Sequence, residues 1–160
     1  MKKETIIDVT INDKEDYINK FNENKLSKDF ISYILEECKG ESLNNLIVFK
    51  IRLNYNATLE EQNKLVNMIK SSCEVDVKEN QFHLSQSLVR KILLFLLGIL
   101  FLIISYFDII HNNFILSEIS LIVGWVAIWE VVYAHIFEDS KMRIKIKRLK
   151  QLSKSKIIFE

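Results

Sequence analysis

A single carboxylate, Glu130, lies inside a long apolar stretch of the sequence. Residues 114–137 read FILSEISLIVGWVAIWEVVYAHIF, and only Glu118, Glu130 and His135 interrupt them. A carboxylate in such a stretch is costly to bury and often takes part in ion or proton transfer or in hydrogen bonding between helices. Three interpretations of Glu130 stay open: a side chain that reaches the polar boundary of the stretch, a packing or assembly group, and part of an ion or proton pathway.

Small residues recur along the same stretch at helical spacing. They are Ser120, Gly124, Ala127 and Ala134. Side chains of this size let two helices approach closely, so the stripe predicts a helix-packing face beside Glu130. Three aromatic residues lie between them: Trp125, Trp129 and Tyr133. We interpret these as interface aromatics, with Trp125 filling a gap between helices because it lies in the middle of the stretch.

The other reactive side chains form no catalytic or metal-binding pattern. Cys38 and Cys73 lack CxxC spacing, and His83, His111 and His135 are scattered along the chain. The three glycines are isolated, so a phosphate-binding loop is not expected. The sequence therefore predicts no catalytic residue, no metal ion and no cofactor, and we expect that the protein is not an enzyme.

Two apolar stretches must position these residues. Residues 92–107 carry no charge, and extension to residue 110 admits only Asp108. A helix of that extent is about 28 Å long at ~1.5 Å per residue, close to the ~30 Å of a bilayer core. A soluble protein with a buried hydrophobic hairpin is the alternative, but the rest of this chain is too short to cover it. We predict a transmembrane hairpin over residues 88–137, with spans at about 92–110 and 114–137.

Basic residues flank this predicted hairpin on both sides. They are Arg90, Lys91, Lys141, Arg143, Lys145, Lys147, Arg148 and Lys150. The connector His111–Asn113 has no Lys or Arg, so the positive-inside rule places both termini in the cytoplasm and the connector outside. We expect a multi-pass protein of the cell (inner) membrane whose basic side chains face anionic lipid headgroups. We expect no N-terminal signal peptide, because the first apolar run begins near residue 92.

Charge follows the same division of the chain. Residues 1–80 carry 12 Lys and Arg against 15 Asp and Glu, and residues 81–140 carry 2 against 5. Residues 141–160 carry 8 against 1, so the net charge of +1 conceals a basic tail. We take residues 1–80 as a cytosolic α+β domain and residues 138–160 as a basic cytosolic tail. The tail lacks interleaved aromatic residues, so a nucleic-acid partner is not expected.

Residues 1–80 alternate strand and helix patterns. Thr5–Ile11 and Asn45–Tyr55 place apolar residues at every second position, which predicts two strands. A short helix is expected over Lys14–Asn22. Ser27 is the predicted cap of a second helix, which ends near Gly40.

A third helix is predicted from a capping box at Thr58–Glu61 to about Ser72. Residues 73–88 are ambiguous, because Val75 and Val77 alternate as in a strand; we favour helix from about Lys78. The basic tail continues as a helix or, alternatively, alternates as a strand, and we favour the helix. Residues 156–160, KIIFE, have the composition of a strand that could join the sheet.

The segment Gly124–Trp129, GWVAIW, followed by Tyr133 and the basic segment, resembles a family of small, uncharacterised bacterial two-span membrane proteins. Members carry a G-W-V-A-x-W second helix, an N-terminal cytosolic α/β segment and a basic C-terminal tail that ends in a short strand. They have Arg-Pro after the second tryptophan, where this chain has Glu130 and Val131, so the resemblance assigns Glu130 no role. It implies an architecture and no activity.

Two functions fit this architecture. In the first, residues 1–80 form a membrane-anchored interaction or sensing module for a cytosolic protein or a small-molecule ligand, and the hairpin assembles homo-oligomers. In the second, several copies form a pore or a membrane-disrupting effector that the cytosolic domain gates. Two spans are too few to enclose a pathway alone, so the pore depends on oligomerisation.

Overall fold

The computed structural model describes residues 3–107 and 114–160. The strands are β1 (Glu4–Ile11), β2 (Ile18–Asn19), β3 (Asn22–Leu26), β4 (Leu46–Leu53) and β5 (Lys156–Phe159). The helices are α1 (Lys28–Glu37), α2 (Leu59–Tyr106), α3 (Phe114–Tyr133) and α4 (Asp139–Ser153). The chain divides into two compact units, which we name the α/β unit (residues up to Glu79 together with Lys145–Glu160) and the helical unit (Asn80–Ile144).

A parallel three-stranded sheet is the centre of the α/β unit. Its strand order is β1-β4-β5, with Glu4 opposite Leu46, Ile11 opposite Leu53 and Ile51 opposite Phe159. Both strand predictions are confirmed by β1 and β4. The residues 156–160 do join the sheet, because β5 pairs with β4 along Lys156–Phe159.

One face of the sheet carries the core. The side chains exposed below 2% include Phe49, Ile11, Ile47, Ile51, Leu65, Ile69, Leu149 and Leu152. Alternate residues of β1 and β4 therefore pack against apolar residues of α2 and α4, as the period of two along a strand requires. Parallel pairing and helical crossovers make this an α/β arrangement, not the α+β arrangement that the sequence suggested.

The predicted helix over Lys14–Asn22 is wrong. Only a 3₁₀ turn, Lys14–Asp16, forms there, and β2 and β3 follow it as an antiparallel pair. The Asp16 carboxylate accepts hydrogen bonds from the backbone N–H groups of Asn12 and Asp13, which completes a capping box at the start of the turn. Ile18 and Phe21 follow at helical spacing, but Phe21 is 98% exposed, so its side chain provides no packing to stabilise a longer helix there.

Helix α1 begins as predicted, with Ser27 as its N-cap accepting a hydrogen bond from the Phe30 N–H at 3.2 Å. The chain leaves the helix at Cys38, and Gly40 takes φ +92° two residues later. Gly40 is thus the second residue after the C-cap residue Cys38, and the helix ends near it as predicted. Only glycine adopts that backbone conformation without strain.

Helix α2 begins at the predicted capping box. Thr58 N–H donates to the Glu61 carboxylate at 3.1 Å, and Glu61 N–H donates to the Thr58 hydroxyl at 3.3 Å. The predicted end near Ser72 is wrong, since the helix is 48 residues long in total and ends at Tyr106. The strand alternative for Val75 and Val77 is also wrong. The chain has no proline, and Gly98 is the single glycine of α2, so no residue stops the helix.

The C-terminal segment is not a separate tail. Helix α4 forms over Asp139–Ser153, which confirms the helix interpretation, and the structure assigns Lys145–Glu160 to the α/β unit. The buried residues Ile146, Leu149 and Leu152 hold this part of α4. Sequence reasoning instead placed residues 138–160 apart from the N-terminal domain.

Two helices are long and apolar enough to cross a membrane. Their most apolar 18-residue windows have mean hydropathies of 2.5 and 1.9, and only 11% and 17% of those windows are buried. The second helical stretch runs over Phe114–Ser153 and contains a π-helical segment, Ala134–Glu138, between α3 and α4. The predicted connector His111–Asn113 and residues 108–110 of the first predicted span lie outside the described residues.

Candidate functional site

Within the helical unit, α2 and α3 pack against each other in opposite directions. Gly98 lies beside Gly124, while Ser105, further along α2, lies beside Ser117, which is earlier in α3. The Ser105 hydroxyl donates to the Ser117 carbonyl oxygen at 3.0 Å. The Ser117 hydroxyl donates to the Ser105 carbonyl oxygen at 3.3 Å. We call these antiparallel segments, residues 91–107 and 114–139, the apolar hairpin.

Small residues permit this close packing. A Cβ atom on Gly124 would lie 2.8 Å from the Leu102 Cδ2 atom and 3.0 Å from the Gly98 carbonyl oxygen, closer than real contacts. All four residues of the predicted packing stripe are buried: Ser120, Gly124, Ala127 and Ala134. The stripe therefore faces α2 in the same chain. Gly98, the partner that sequence reasoning missed, is the only glycine in the first predicted span.

A charged cluster lies near the open end of the apolar hairpin. It surrounds a cavity of about 80 Å³. The lining residues are Ser87, Arg90, Lys91, Leu94, Glu130, Val131, Ala134 and Glu138. Two basic side chains of α2 thus share a cavity with Glu130. Glu130 itself is exposed at the rim and forms no ion pair within the described part of the chain.

A buried ion pair stands next to this cavity. The Lys91 Nζ atom donates to the Asp139 Oδ1 atom, and the two residues are only 7% and 2% exposed. The second carboxylate oxygen, Oδ2, is buried without a hydrogen-bond partner among the described residues. The His135 Nδ1 atom lies 3.4 Å from it. Charges buried in this way stabilise a structure only when they stay paired.

The π-helical segment determines which acidic residue is buried. In an α-helix, the residue that follows Ala134 on the same face is Glu138, four positions later. Here the Asp139 N–H donates to the Ala134 carbonyl oxygen five positions back, and Asp139 is buried while Glu138 is exposed. Segments of this kind are frequent at functional sites. Sequence reasoning had no signal for the extra residue and therefore missed Asp139.

Comparison with protein-family models, curated proteins and solved structures finds no match for this chain. The resemblance carried by Gly124–Trp129 therefore stays a prediction. Any functional conclusion rests on the chemistry of the chain itself.

The predicted aromatic residues lie on the outer side of the apolar hairpin. Trp125, Trp129 and Tyr133 are 53%, 66% and 53% exposed. Trp125 is not enclosed between α2 and α3, and its expected role of filling a gap between helices stays a prediction. The Tyr133 ring packs on the Phe137 ring at a centroid distance of 5.0 Å. These side chains form an apolar outer surface.

The predicted lipid-facing basic residues have different surroundings. Arg90 lines the cavity, and Lys91 is buried against Asp139 and does not face outward. Arg148 is half-buried in the α/β unit, where it donates to the Glu41 carbonyl oxygen at 2.5 Å. The remaining members are exposed on α4: Lys141, Arg143, Lys145, Lys147 and Lys150. Lys91 and Arg148 are therefore removed from the predicted lipid-facing set.

The two cysteines are unsuited to redox or nucleophilic chemistry. Both are free and buried. Burial raises the pKa of the Cys38 thiol to about 11 and that of the Cys73 thiol to about 12. The reactive thiolate is thus suppressed at neutral pH. Among the described residues, no group of His, Cys, Asp and Glu is arranged to hold a metal ion.

Proposed function

We propose that this protein is a membrane-anchored sensing or interaction module. The α/β unit supplies the binding surface, and the apolar hairpin inserts in the bilayer. Support for insertion comes from the low burial of the two apolar windows, 11% and 17%. An apolar helix in the core of a soluble protein would be mostly covered by its own chain, and large uncovered apolar surfaces mark interaction or membrane sites.

One observation carries the sensing part of the proposal. The chain leaves the sheet at β4, passes through α2, α3 and α4, and returns to β5, the parallel neighbour of β4. The apolar hairpin is thus an insertion in the connection between two adjacent strands. A hairpin that only anchored a domain would need a single attachment. Two attachments in one sheet give a path by which ligand binding and hairpin rearrangement affect each other.

Assembly of several copies is the second part of the proposal. The outer side of the apolar hairpin presents Trp125, Val126 and Trp129, which are 53–66% exposed. Glu130 lies beside them at the rim of the cavity. In a bilayer, association of hairpins through this side would give that carboxylate polar partners on a neighbouring copy.

Insertion and topology are tested with cysteine labelling of intact cells. The native thiols are buried and provide little background. We expect a membrane-impermeant maleimide to label an Asn113→Cys variant from outside and to miss a Glu23→Cys variant, whose position is exposed in the α/β unit. Extraction of the protein by alkaline carbonate, or labelling of only the second variant, contradicts the proposal.

Oligomeric state is tested by mass measurement of the full chain in nanodiscs. We expect more than one copy per disc, and we expect a Glu130→Gln variant to shift the distribution toward monomers. A Glu118→Gln variant serves as the control, since it removes a carboxylate from the same helix away from the cavity. A monomeric wild-type protein would refute assembly and leave anchoring alone.

An oligomeric pore is the second candidate function. The observation that favours it is the cavity, which brings Arg90, Lys91, Glu130 and Glu138 together at one end of the apolar hairpin. Ionisable groups inside membrane segments often line ion or proton paths. Release of dye from liposomes that contain the protein would support a pore. Absence of release, with or without cell extract, rules it out.

A further inference from the structure

A broad groove opens in the α/β unit between a loop and one side of α4. We call it the basic groove. Its volume is about 950 Å³. The loop and the first two residues of β4 contribute residues 41–47, and α4 with its C-terminal turn contributes Lys147, Lys150, Gln151 and Lys154. The volume lies at the upper end of the roughly 300–1,000 Å³ typical of small-molecule sites.

The walls of the basic groove are fixed to each other. The Arg148 guanidinium donates to the Glu41 carbonyl oxygen at 2.5 Å. The Gln151 amide donates to the carbonyl oxygens of Ser42, at 3.1 Å, and Asn45, at 2.6 Å. Three hydrogen bonds from two side chains of α4 therefore hold the loop in place. A groove with fixed walls loses less conformational entropy when a ligand binds.

The lining of the basic groove carries more positive than negative charge, with three lysines and one glutamate. Lys147, Lys150 and Lys154 are spaced by three and four residues, so they share one side of the helix. All three are exposed, and none forms an ion pair within the described residues. Glu41 is the acidic residue of the lining, and its carboxylate already accepts a hydrogen bond from the Thr5 hydroxyl.

We propose that the basic groove binds an anion with two or more phosphate groups. Lysine ammonium groups bind phosphate as point charges. Lys147 and Lys154 lie about 10 Å apart along the helix axis at ~1.5 Å per residue, so one phosphate cannot contact all three lysines. This inference rests on the proposed function, since it identifies the ligand class of the α/β unit. The phosphate belongs either to a soluble polyphosphorylated molecule or to lipid headgroups.

The first experiment titrates inorganic pyrophosphate into the full chain in phosphatidylcholine nanodiscs, by calorimetry. The groove variant carries Lys147→Gln, Lys150→Gln and Lys154→Gln. The matched control carries Lys64→Gln, Lys141→Gln and Arg143→Gln, which remove the same formal charge from exposed positions outside the groove. We expect at least a tenfold loss of affinity in the groove variant and less than a threefold loss in the control.

The second experiment repeats the titration in nanodiscs that contain phosphatidylglycerol. If the wild type binds pyrophosphate more weakly in these discs than in phosphatidylcholine discs, and the groove variant shows no such difference, lipid phosphate is the occupant. If the wild type binds pyrophosphate equally well in both kinds of disc, the occupant is a soluble ligand. Equal losses in the groove variant and the control overturn the proposal, as does failure of the wild type to bind either probe. These outcomes are independent of membrane insertion and assembly, which the labelling and mass measurements report.

Discussion

The Lys91–Asp139 pair buries two charged side chains within the helical unit. Each charge loses most of its hydration there, and only its partner and neighbouring dipoles offset that loss. Two apolar residues of similar size would pack at that position without this cost. We therefore interpret the pair as fixing the register of the two helices in the apolar hairpin. If either helix slid by one turn, both charges would be left unpaired.

Removal of one partner tests this role. We expect Lys91→Ala and Asp139→Ala each to lower the free energy of unfolding by about 3–5 kcal/mol, because each leaves a buried charge uncompensated. Reversible denaturation in micelles measures the change. Arg90→Ala is the control, since Arg90 is exposed at the cavity. Combining Lys91→Met with Asp139→Leu should recover most of the loss, and a double variant as unstable as the single variants would argue against simple pairing.

The buried cysteines predict a pH dependence. Their pKa values are raised by burial to about 11 and 12, whereas a thiol in an unfolded chain titrates near ~8.5. The folded state therefore holds these protons more tightly. The resulting stability is complete below pH ~8.5 and is lost as the pH rises toward 11.

Alkylation measures how strongly the folded protein protects the two thiols from reaction. At pH 8.5 we expect iodoacetamide to modify Cys38 and Cys73 slowly in the folded protein and rapidly in denaturant, as followed by mass spectrometry. A Cys38→Ala, Cys73→Ala variant should lose less stability between pH 8.5 and 11 than the wild type. Rapid modification of the folded chain would show that the α/β unit opens readily around these residues.

At the scale of secondary structure, the contact between α2 and α3 depends on Gly98 and Gly124. We expect Gly124→Ala to lower the free energy of unfolding by about 1–3 kcal/mol, because its Cβ would meet Leu102 and the Gly98 backbone. Denaturation in micelles again gives the value. Val126→Ile, which adds one carbon atom at a position 62% exposed, should change stability little. Similar losses in both variants would indicate that the outer side is also packed.

The residues at which helices begin were predicted more accurately from the sequence than the residues at which helices end. Ser27 and Thr58 are capping residues whose side chains bond backbone N–H groups within three residues, so their signal is local. The end of α2 depends on the absence of any competing structure after Ser72, which is a property of the whole fold. Asp139 was missed for the same reason, since one extra residue in a helical turn leaves no mark in composition or spacing.

At the scale of the whole molecule, β5 brings residues 156–159 back to β4, the central strand of the sheet. Glu160 N–H donates to the Ile51 carbonyl oxygen at 3.0 Å, and the Glu160 carboxylate lies 3.0 Å from the Lys50 Nζ atom. The sequence suggested this return from the KIIFE composition alone. It could not indicate parallel pairing, because the register follows from contacts over a hundred residues apart.

Deletion of residues 156–160 tests the contribution of β5. We expect the amides of β4 to exchange hydrogen much faster, since one edge of the central strand loses its partner. Hydrogen exchange with mass spectrometry follows Leu46–Leu53. Glu160→Gln serves as the control and should cost less than about 1 kcal/mol, because its ion pair is partly exposed. Unchanged exchange in the deletion variant would mean that β5 adds nothing to the sheet.

Because β5 follows the other strands in the sequence, it is also the last strand to be synthesised. The ribosome makes β1 and β4 before residues 80–144, and it makes β5 only after them. During translation one edge of the central strand β4 therefore has no hydrogen-bonded neighbour until β5 is made. Bare strand edges are recognised by other chains, and incompletely folded chains are retained by chaperones or degraded by proteases. The sheet thus gains its third strand only after the entire helical segment has been translated.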